Sequence, residues 1–463
     1  GNSVPLYTCL TKEWGSHDRK HLLLTGGGGM GKTVSLFRLW DKLLEDGICS
    51  LYIPLHVIMG IATKDCLTDD VIRNFITDNV WHGNAQKAGQ FLDHLSESAD
   101  KPMFVLLLDG FNEVPGGNRR AAIAAIKKWM VYSGVQVVIS SRYDFRKDIK
   151  VDELSELIIE PLSDEQIAMW FKLCEMPVPN KNEKVYELLK TPFMLTLYTQ
   201  VENRYNQGKD ANYVKWVEHA YTSSDLMWNF MQCQILKMAN DHLKPDGDIM
   251  KAVIASMYIL PYICWVMEWK ELFVVESREL NLWITEAVIL YKNKWKEYPD
   301  SWIDFLEIEL GDIQWEVKDF SRILINELNL LTHRNGKTYS LLHQNFRDFL
   351  AAVHLCYAVE TDTLGAAVDT WGKRPFSNNV VTFLAEWMPE ELADAMFQSL
   401  RGKQISKGNY IFFNLIRVIR RIKKEDLSGM DFSDMDLRSV VLNGARLVNG
   451  EQRAVFRNAR INY

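Results

Sequence analysis

Residues 26–33 read Gly-Gly-Gly-Gly-Met-Gly-Lys-Thr, and the rest of the chain is organised around them. They match the pattern G-x-x-x-x-G-K-[ST] at Gly26, Gly31, Lys32 and Thr33, with an apolar run (Leu22, Leu23, Leu24) before them and a helix-like run after. Backbone N–H groups can wrap a phosphate chain only where side chains leave room, and Gly26, Gly27, Gly28 and Gly29 permit that close path. Met30 completes the loop, and Gly31 lets the next helix start tight against the strand. The free N–H groups at that helix start, as far as Val34, turn its positive dipole end to the phosphates. Lys32 adds a point charge, and the Thr33 hydroxyl is suited to magnesium. The plain alternative, a glycine-rich turn, does not account for both flanks.

Outward from the loop, four apolar stretches stand between helical patterns: Leu22–Thr25, Leu51–Val57, Met103–Leu108 and Val135–Ser140, with Leu157–Ile159 as a fifth. Strands that are apolar on nearly every residue, alternating with helices such as Thr33–Glu45 and Arg119–Tyr132, predict a mostly parallel sheet covered on both faces, an α/β phosphate-loop domain over residues 1–160. After Glu160 strands are expected to stop. Ser163–Cys174 opens with a capping serine, and Thr191-Pro192 divides two helices within Leu188–Tyr198. Ser224–Met238, the apolar run Ala252–Met267 and Thr285–Lys294 continue the helical pattern. The apolar run is too short for the roughly 20 residues of a membrane span and reads as a kinked core helix, so no membrane is implied.

Leu342, Phe346, Phe349, Leu350 and Val353 form one helical stripe with Arg347 and Asp348 turned away from it. The apolar run Ile323–Leu331, a polar turn and the extended piece Lys337–Ser340 come before it, and helix, turn, strand, helix predicts a small winged-helix unit. Residues 365–424 read as further helices ending in the basic run Arg417–Lys424. Ile416, Ile419 and Ile422 interleave with those cations, which suits a helix C-terminus better than a nucleic-acid grip.

The 463 residues suggest about three domains, at 47% hydrophobic and 24% charged, an ordinary globular composition. A net charge of −7 gives no support to a nucleic-acid partner. The cysteines, Cys9, Cys49, Cys66, Cys174, Cys233, Cys264 and Cys356, stand singly with no zinc-ligand spacing and read as small buried hydrophobes in a reducing cytoplasm. His17 and His21 have the spacing of a helical metal pair, but His21 opens a strand. No signal peptide is visible, and Gly1-Asn2-Ser3 reads as an expression scar, with the native protein beginning earlier.

An apolar strand ending in an acid is the second requirement of a phosphate-loop NTPase, and residues 103–109, Met-Phe-Val-Leu-Leu-Leu-Asp, supply it. Asp109 would hold magnesium through water. Four residues on, Glu113 is placed to orient or deprotonate an attacking water. Arg142 stands at the carboxyl end of Val135–Ser140, where ligands sit in open α/β sheets, and can sense a γ-phosphate.

The stretches GGGGMGKT, LLLDGFNEVP, VVISSRYDF, IIEPLSDEQI, KTPFML and LLHQNFRDFLAA occur in the order and spacing of the NACHT-domain proteins, the STAND-class signal-transducing NTPases that include the NOD-like receptors. The resemblance covers nearly residues 1–424. It implies ATP/ADP with Mg2+ as ligands, a helical domain at 161–222, a winged-helix region at 223–358 and a second helical domain at 359–424. It places Pro192 against the adenine and brings His343 to the β-phosphate of ADP. The family commonly has a second Asp where this chain has Asn112, which leaves Glu113 as the acid after Asp109 and implies slow hydrolysis.

Beyond residue 424 the period changes. Leu427, Phe432, Leu437, Leu442 and Leu447 recur every fifth residue, and after a break Phe456 and Ile461 resume. Small or apolar residues stand two places earlier. Residues 425–463 therefore resemble the pentapeptide repeat, whose fold is a square right-handed β-solenoid, here expected to continue past the last residue.

The reading this supports is a cytoplasmic signalling switch, closed on ADP, opened and made to self-associate by ATP exchange. Its activating ligand and effector domain would lie outside the sequence. The alternatives are a catalytic phosphate-loop ATPase or kinase, and a pentapeptide scaffold for a partner regulated by the NTPase domain.

Overall fold

The structure is a computed structural model, and it describes residues 5–12, 21–59, 70–95, 102–146, 154–181, 183–207, 222–239, 246–292, 316–328, 330–334, 338–361, 365–401, 403, 408–438 and 440–461. His17, Cys66 and residues 1–3 lie outside them, as does part of the expected helix Thr285–Lys294 and of the extended piece Lys337–Ser340. Two compact units result, one of residues 1–178, 189–196 and 271–274, the other of 179–188, 197–270 and 275–463.

In the first unit, α1 (Leu6–Lys12), β1 (His21–Thr25), α2 (Lys32–Glu45), β2 (Cys49–Pro54) and α3 (Leu55–Met59) are followed by α4 (Val71–Val80), α5 (Ala85–Leu95), β3 (Phe104–Asp109), α6 (Arg119–Met130), β4 (Val135–Ser141), β5 (Leu154–Ile158) and α7 (Asp164–Leu173). The strands form one parallel sheet in the order β2-β3-β4-β1-β5. Its side chains alternate between two cores. Leu23, Leu106, Leu108, Val137 and Ile139 meet α4, α5 and α6 on one face, and Leu22, Leu24, Val105, Leu107 and Val138 meet α1 and α2 on the other. A five-stranded parallel sheet covered by helices on both faces fits an α/β phosphate-loop NTPase fold.

Two strand boundaries differ from expectation. The second strand ends at Pro54 and α3 begins at Leu55, where a strand to Val57 was expected; Pro54 is tolerable because β2 is an edge strand paired only with β3. β5 starts at Leu154, three residues early, its polar Ser155 and Glu156 belonging to the opposite edge, where Thr25 Oγ1 donates to Glu156 at 2.7 Å. His21 is buried in β1. Its Nδ1 accepts from Val137 N at 3.0 Å, which leaves the proton on Nε2, 3.1 Å from Met130 O. It is a strand-anchoring neutral histidine, and among the described residues no group of three His, Cys, Asp or Glu could hold a metal.

The second unit is mostly helical, but strands do not stop at Glu160. β6 (Val275–Glu276), β7 (Leu331–Arg334) and β8 (Thr338–Leu341) make a three-stranded antiparallel sheet in the order β6-β8-β7, with β7 and β8 following helix Val317–Arg322 and preceding helix Gln344–Thr361 in the chain. The apolar run lies in helices Asp246–Ile254 and Leu260–Trp269, joined by a π-helical turn at Ala255–Ile259. That turn precedes Pro261, whose ring and missing N–H disturb regular i→i−4 bonding. Asp248–Trp269 is long and apolar enough to cross a membrane, contrary to the sequence estimate, but 89% of its most apolar window is buried inside the protein, as in a core helix.

Arg347 and Asp348, off the apolar stripe, are nonetheless buried. Arg347 lies 2.8 Å from Glu268 Oε2 and 2.7 Å from Asp348 Oδ1, and Asn379 donates to Asp348 Oδ2 at 2.8 Å. Helical spacing identifies the apolar side of Gln344–Thr361 but not that neighbours also cover the other side. Leu342, assigned to the stripe, precedes the helix and is exposed. The basic run ends helix Ile411–Ile422, where Arg417 donates to Phe376 O, Arg420 donates to Asn443 O and pairs with Glu425, and Lys423 binds Glu390 and Asp394. Cysteine burial is mixed: Cys233, Cys264 and Cys356 are buried, Cys9 and Cys174 partly so, and Cys49, at the outer end of the edge strand, is exposed.

From Asp426 the chain coils. Parallel bridges join Asp426 to Arg446, Asp431 to Val455 and Asp436 to Arg460, so successive turns lie side by side. Leu427, Phe432 and Leu437 fill the inside, and Phe456 stacks on Phe432 at 5.0 Å. The interruption in the five-residue pattern is a small hairpin, β9 (Val448–Asn449) against β10 (Gln452–Arg453), closed where Ala454 N donates to Leu447 O.

Candidate functional site

All five strands of the parallel sheet run the same way, so the carboxyl ends of β1, β3 and β4 open on one edge. The loop from Gly26 to Gly31 leaves β1 there, and Gly29 and Gly31 hold φ of +79° and +85°. At Gly29 the close approach is as demanding as the angle. A Cβ there would stand 2.7 Å from Phe193 Cβ, and Phe193 N donates to Gly29 O at 3.1 Å. Thus the loop rests on the segment that carries Pro192, the first residue of helix Pro192–Gln207.

Helix α2 starts at Lys32 with Gly31 as its cap. The cap glycine has no side chain to bond the first-turn N–H groups, and no acid stands in that turn. Those N–H groups are the unpaired donors that every helix start presents. The Lys32 ammonium folds over the loop and donates to Gly26 O at 2.6 Å and Gly27 O at 2.7 Å. Burial, and next the charge of Arg142, push this amine down to about 8, while Asp109 and Glu113 pull the other way. Arg142, Asp109 and Glu113 therefore all lie within electrostatic reach of Lys32. Two cations beside a helix start whose glycine cap carries no side chain make a site complementary to an anion.

Asp109 ends β3, and three hydroxyls converge on it. Thr33 donates to Oδ2 at 2.7 Å, Tyr52 to the same oxygen at 2.8 Å, and Ser140 to Oδ1. Ser140 Oγ also accepts from Gly110 N at 2.8 Å, which fixes the turn after the strand. A carboxylate and a hydroxyl 2.7 Å apart are hard oxygen donors, and the Thr33 oxygen keeps lone pairs while its O–H donates to Asp109. This donor set fits magnesium.

Past Gly110, at φ +79°, the chain makes the short turn Phe111–Glu113. The Glu113 carboxylate returns over Gly110, where a Cβ would meet it at 3.0 Å, so a glycine is required there. His56 Nδ1 of α3 stands 2.9 Å from Glu113 Oε2, at ion-pair distance but not aligned as a hydrogen bond. Arg142 follows β4, and its backbone N donates to Asn112 Oδ1 at 3.0 Å. His343 belongs to the second unit, where its Nδ1 accepts from Asn345 N at 3.0 Å at the start of helix Gln344–Thr361.

Tyr52, His56 and Ser140 were not singled out from the sequence. Ser140 could have been, as a polar residue ending an apolar strand. Tyr52 and His56 carry no local signal, because their partners lie 57 residues away.

No protein-family model matches this chain, and no curated protein matches it. Among solved structures, similarity is found to a STAND protein with a tetratricopeptide-repeat sensor from Pyrococcus horikoshii, at 11% identity and a TM-score of 0.36, covering 91% of this chain and 53% of the other. Cdc6p from Pyrobaculum aerophilum matches at 13% identity and 0.28, over 75% of this chain and 90% of its own. The replication initiator DnaA, bound to AMPPCP and single-stranded DNA, matches at 14% and 0.25, over 54% and 85%. This chain thus spans about half the length of the STAND protein, and likeness this slight leaves function to be argued from the site.

Proposed function

We propose that this chain is an ATP/ADP-binding switch of the NACHT kind, with residues 1–160 as the nucleotide-binding domain. The observation that carries the reading is the meeting of Lys32, Thr33, Asp109 and Arg142 at the glycine-capped start of α2. In this reading the loop from Gly26 to Val34 wraps the phosphates, Lys32 neutralises them, and Thr33 with Asp109 holds Mg2+. The cation would supply charge neutralisation between the phosphates. Arg142 senses the γ-phosphate, and Glu113 orients the attacking water. Asn112 accepts from a backbone N–H and supplies no second acid, in keeping with slow turnover.

Residues 161–222 and 359–424 are the two helical domains of this reading, and 223–358 the winged-helix region. The order helix, β7, β8, helix, with β6 added at the sheet edge, supports the latter. In this reading residues 425–463 form a pentapeptide solenoid, supported by parallel bridges 20 and 24 residues apart, the longer step including the four-residue excess of the hairpin. ADP, held by the loop, Pro192 and His343, keeps the switch closed; ATP opens it and drives self-association in a signalling pathway.

The test is the nucleotide carried by freshly purified protein, together with ADP release from His343→Ala. Bound ADP, released faster by the variant, is the expected result. A hydrogen bond to a charged group is worth about 1.5 to 3 kcal/mol, so release should quicken roughly tenfold to a hundredfold. Protein that binds no nucleotide refutes the switch; unchanged release removes His343 from it.

A further inference from the structure

Three hydroxyl groups fix the Asp109 carboxylate, and only one of them comes from the phosphate loop's helix. Tyr52 arrives from β2, the outermost strand, whose backbone pairs only with β3 and at that level meets Leu107. Its hydroxyl passes along the sheet edge to Asp109 Oδ2, the oxygen that also accepts from Thr33. Its ring stacks on Trp40 at 5.9 Å and packs tilted against Phe37 at 4.5 Å, both on α2. The same helix therefore carries Thr33 and the aromatic bed that aims Tyr52.

We infer that Tyr52 is a positioning residue for the divalent cation, an inference that rests on the nucleotide and magnesium reading of this site. Asp109 can hold a metal-bound water, or the metal, only if its carboxylate plane is fixed, and a carboxylate on a single-bonded carbon otherwise rotates. Ser140 on Oδ1 and Tyr52 on Oδ2 fix both oxygens. Thr33 cannot do this for Oδ2 alone, because its own oxygen turns with the cation it ligates. Groups that orient a ligating carboxylate typically change metal affinity 10- to 100-fold when lost. The effect belongs to the cation and not to the phosphates, which Lys32 and the loop contact.

Tyr52→Phe keeps the ring and its packing on α2 and deletes one hydroxyl. ADP affinity is measured with excess chelator and with Mg2+, and Mn2+ affinity of the ADP complex is read by electron paramagnetic resonance. We expect unchanged ADP affinity in chelator and about tenfold weaker Mn2+ binding. Tyr52→Leu, which removes ring and hydroxyl together, should show the same loss of Mn2+ with a lower melting midpoint. Equal losses of ADP with and without metal, or unchanged Mn2+ affinity in a variant that binds ADP, overturn the inference alone. Wild-type protein that binds ADP under neither condition overturns the nucleotide reading and this inference with it.

Discussion

Raising the pH should release nucleotide from this protein through one lysine. In the free protein the Lys32 amine is pushed down to about 8 by burial and by Arg142. A bound phosphate chain supplies the missing counter-charge and restores the amine to its ordinary range of about 10.5 or above. The bound pKa then exceeds the free one, so binding takes up a proton. Affinity is full below about pH 8 and falls as pH rises towards the bound value. From about pH 7.5 to about 9.5 the free amine goes from mostly charged to a few per cent charged, while the complex keeps its proton. The dissociation constant of ADP should rise about twentyfold, or about 1.8 kcal/mol. Calorimetry in chelator measures this without a metal contribution, and in buffers of different ionisation heat it should also show the proton uptake. Lys32→Arg, charged throughout, should bind with a flat profile, and Lys32→Met weakly and also flat. A wild-type profile without slope, or the same slope in Lys32→Met, refutes the argument. The folded pKa lies below the unfolded one, so the free protein should also gain stability as pH rises from about 8 to 10.5, by roughly 3 kcal/mol at most.

Gly29→Ala combines a left-handed backbone with a Cβ 2.7 Å from Phe193 Cβ, and should lower stability by about 1 to 3 kcal/mol and weaken ADP binding. Adding Phe193→Gly, which removes that Cβ, should recover the steric part in a double-mutant cycle read by thermal melting; full additivity would mean that the two do not touch. Arg347→Leu leaves Glu268 and Asp348 buried without their cation and should lower the unfolding free energy by about 3 to 5 kcal/mol in denaturant titration. A loss under about 1 kcal/mol, as for a surface pair, would contradict the burial described.

What was legible in the sequence depended on how local the cause was. The glycine loop, the acid closing β3 and the capping box of Ser163 with Gln166 are written in neighbouring residues, and each has its structural counterpart there. The ends of β2 and β5 differ because the apolar run continues past Pro54 to Val57 although the strand stops at the proline, and because Glu156, on the opposite edge, falls outside an apolar run. β6 is two residues long and exists only because β8 pairs with it. Arg347 and Asp348 show the same limit in the core: their solvent is replaced by Glu268 and Asn379, from elsewhere in the chain. Around the site, the loop and its acid were readable, whereas the groups that orient the acids reach them only through the folded sheet.

The hairpin within the C-terminal coil implies a rule of phase for that segment. Between Leu447 and Phe456 the chain takes nine steps where the five-residue pattern needs five, yet Phe456 still stacks on Phe432, because the excess closes on itself from Leu447 to Ala454. An insertion there is harmless only when its two ends pair and cancel. Excising a closed hairpin should be silent, while adding or removing a single residue would rotate every later side chain off its corner and turn apolar side chains out to water. Length variation in such a coil is therefore discrete, and its reading frame is kept by geometry.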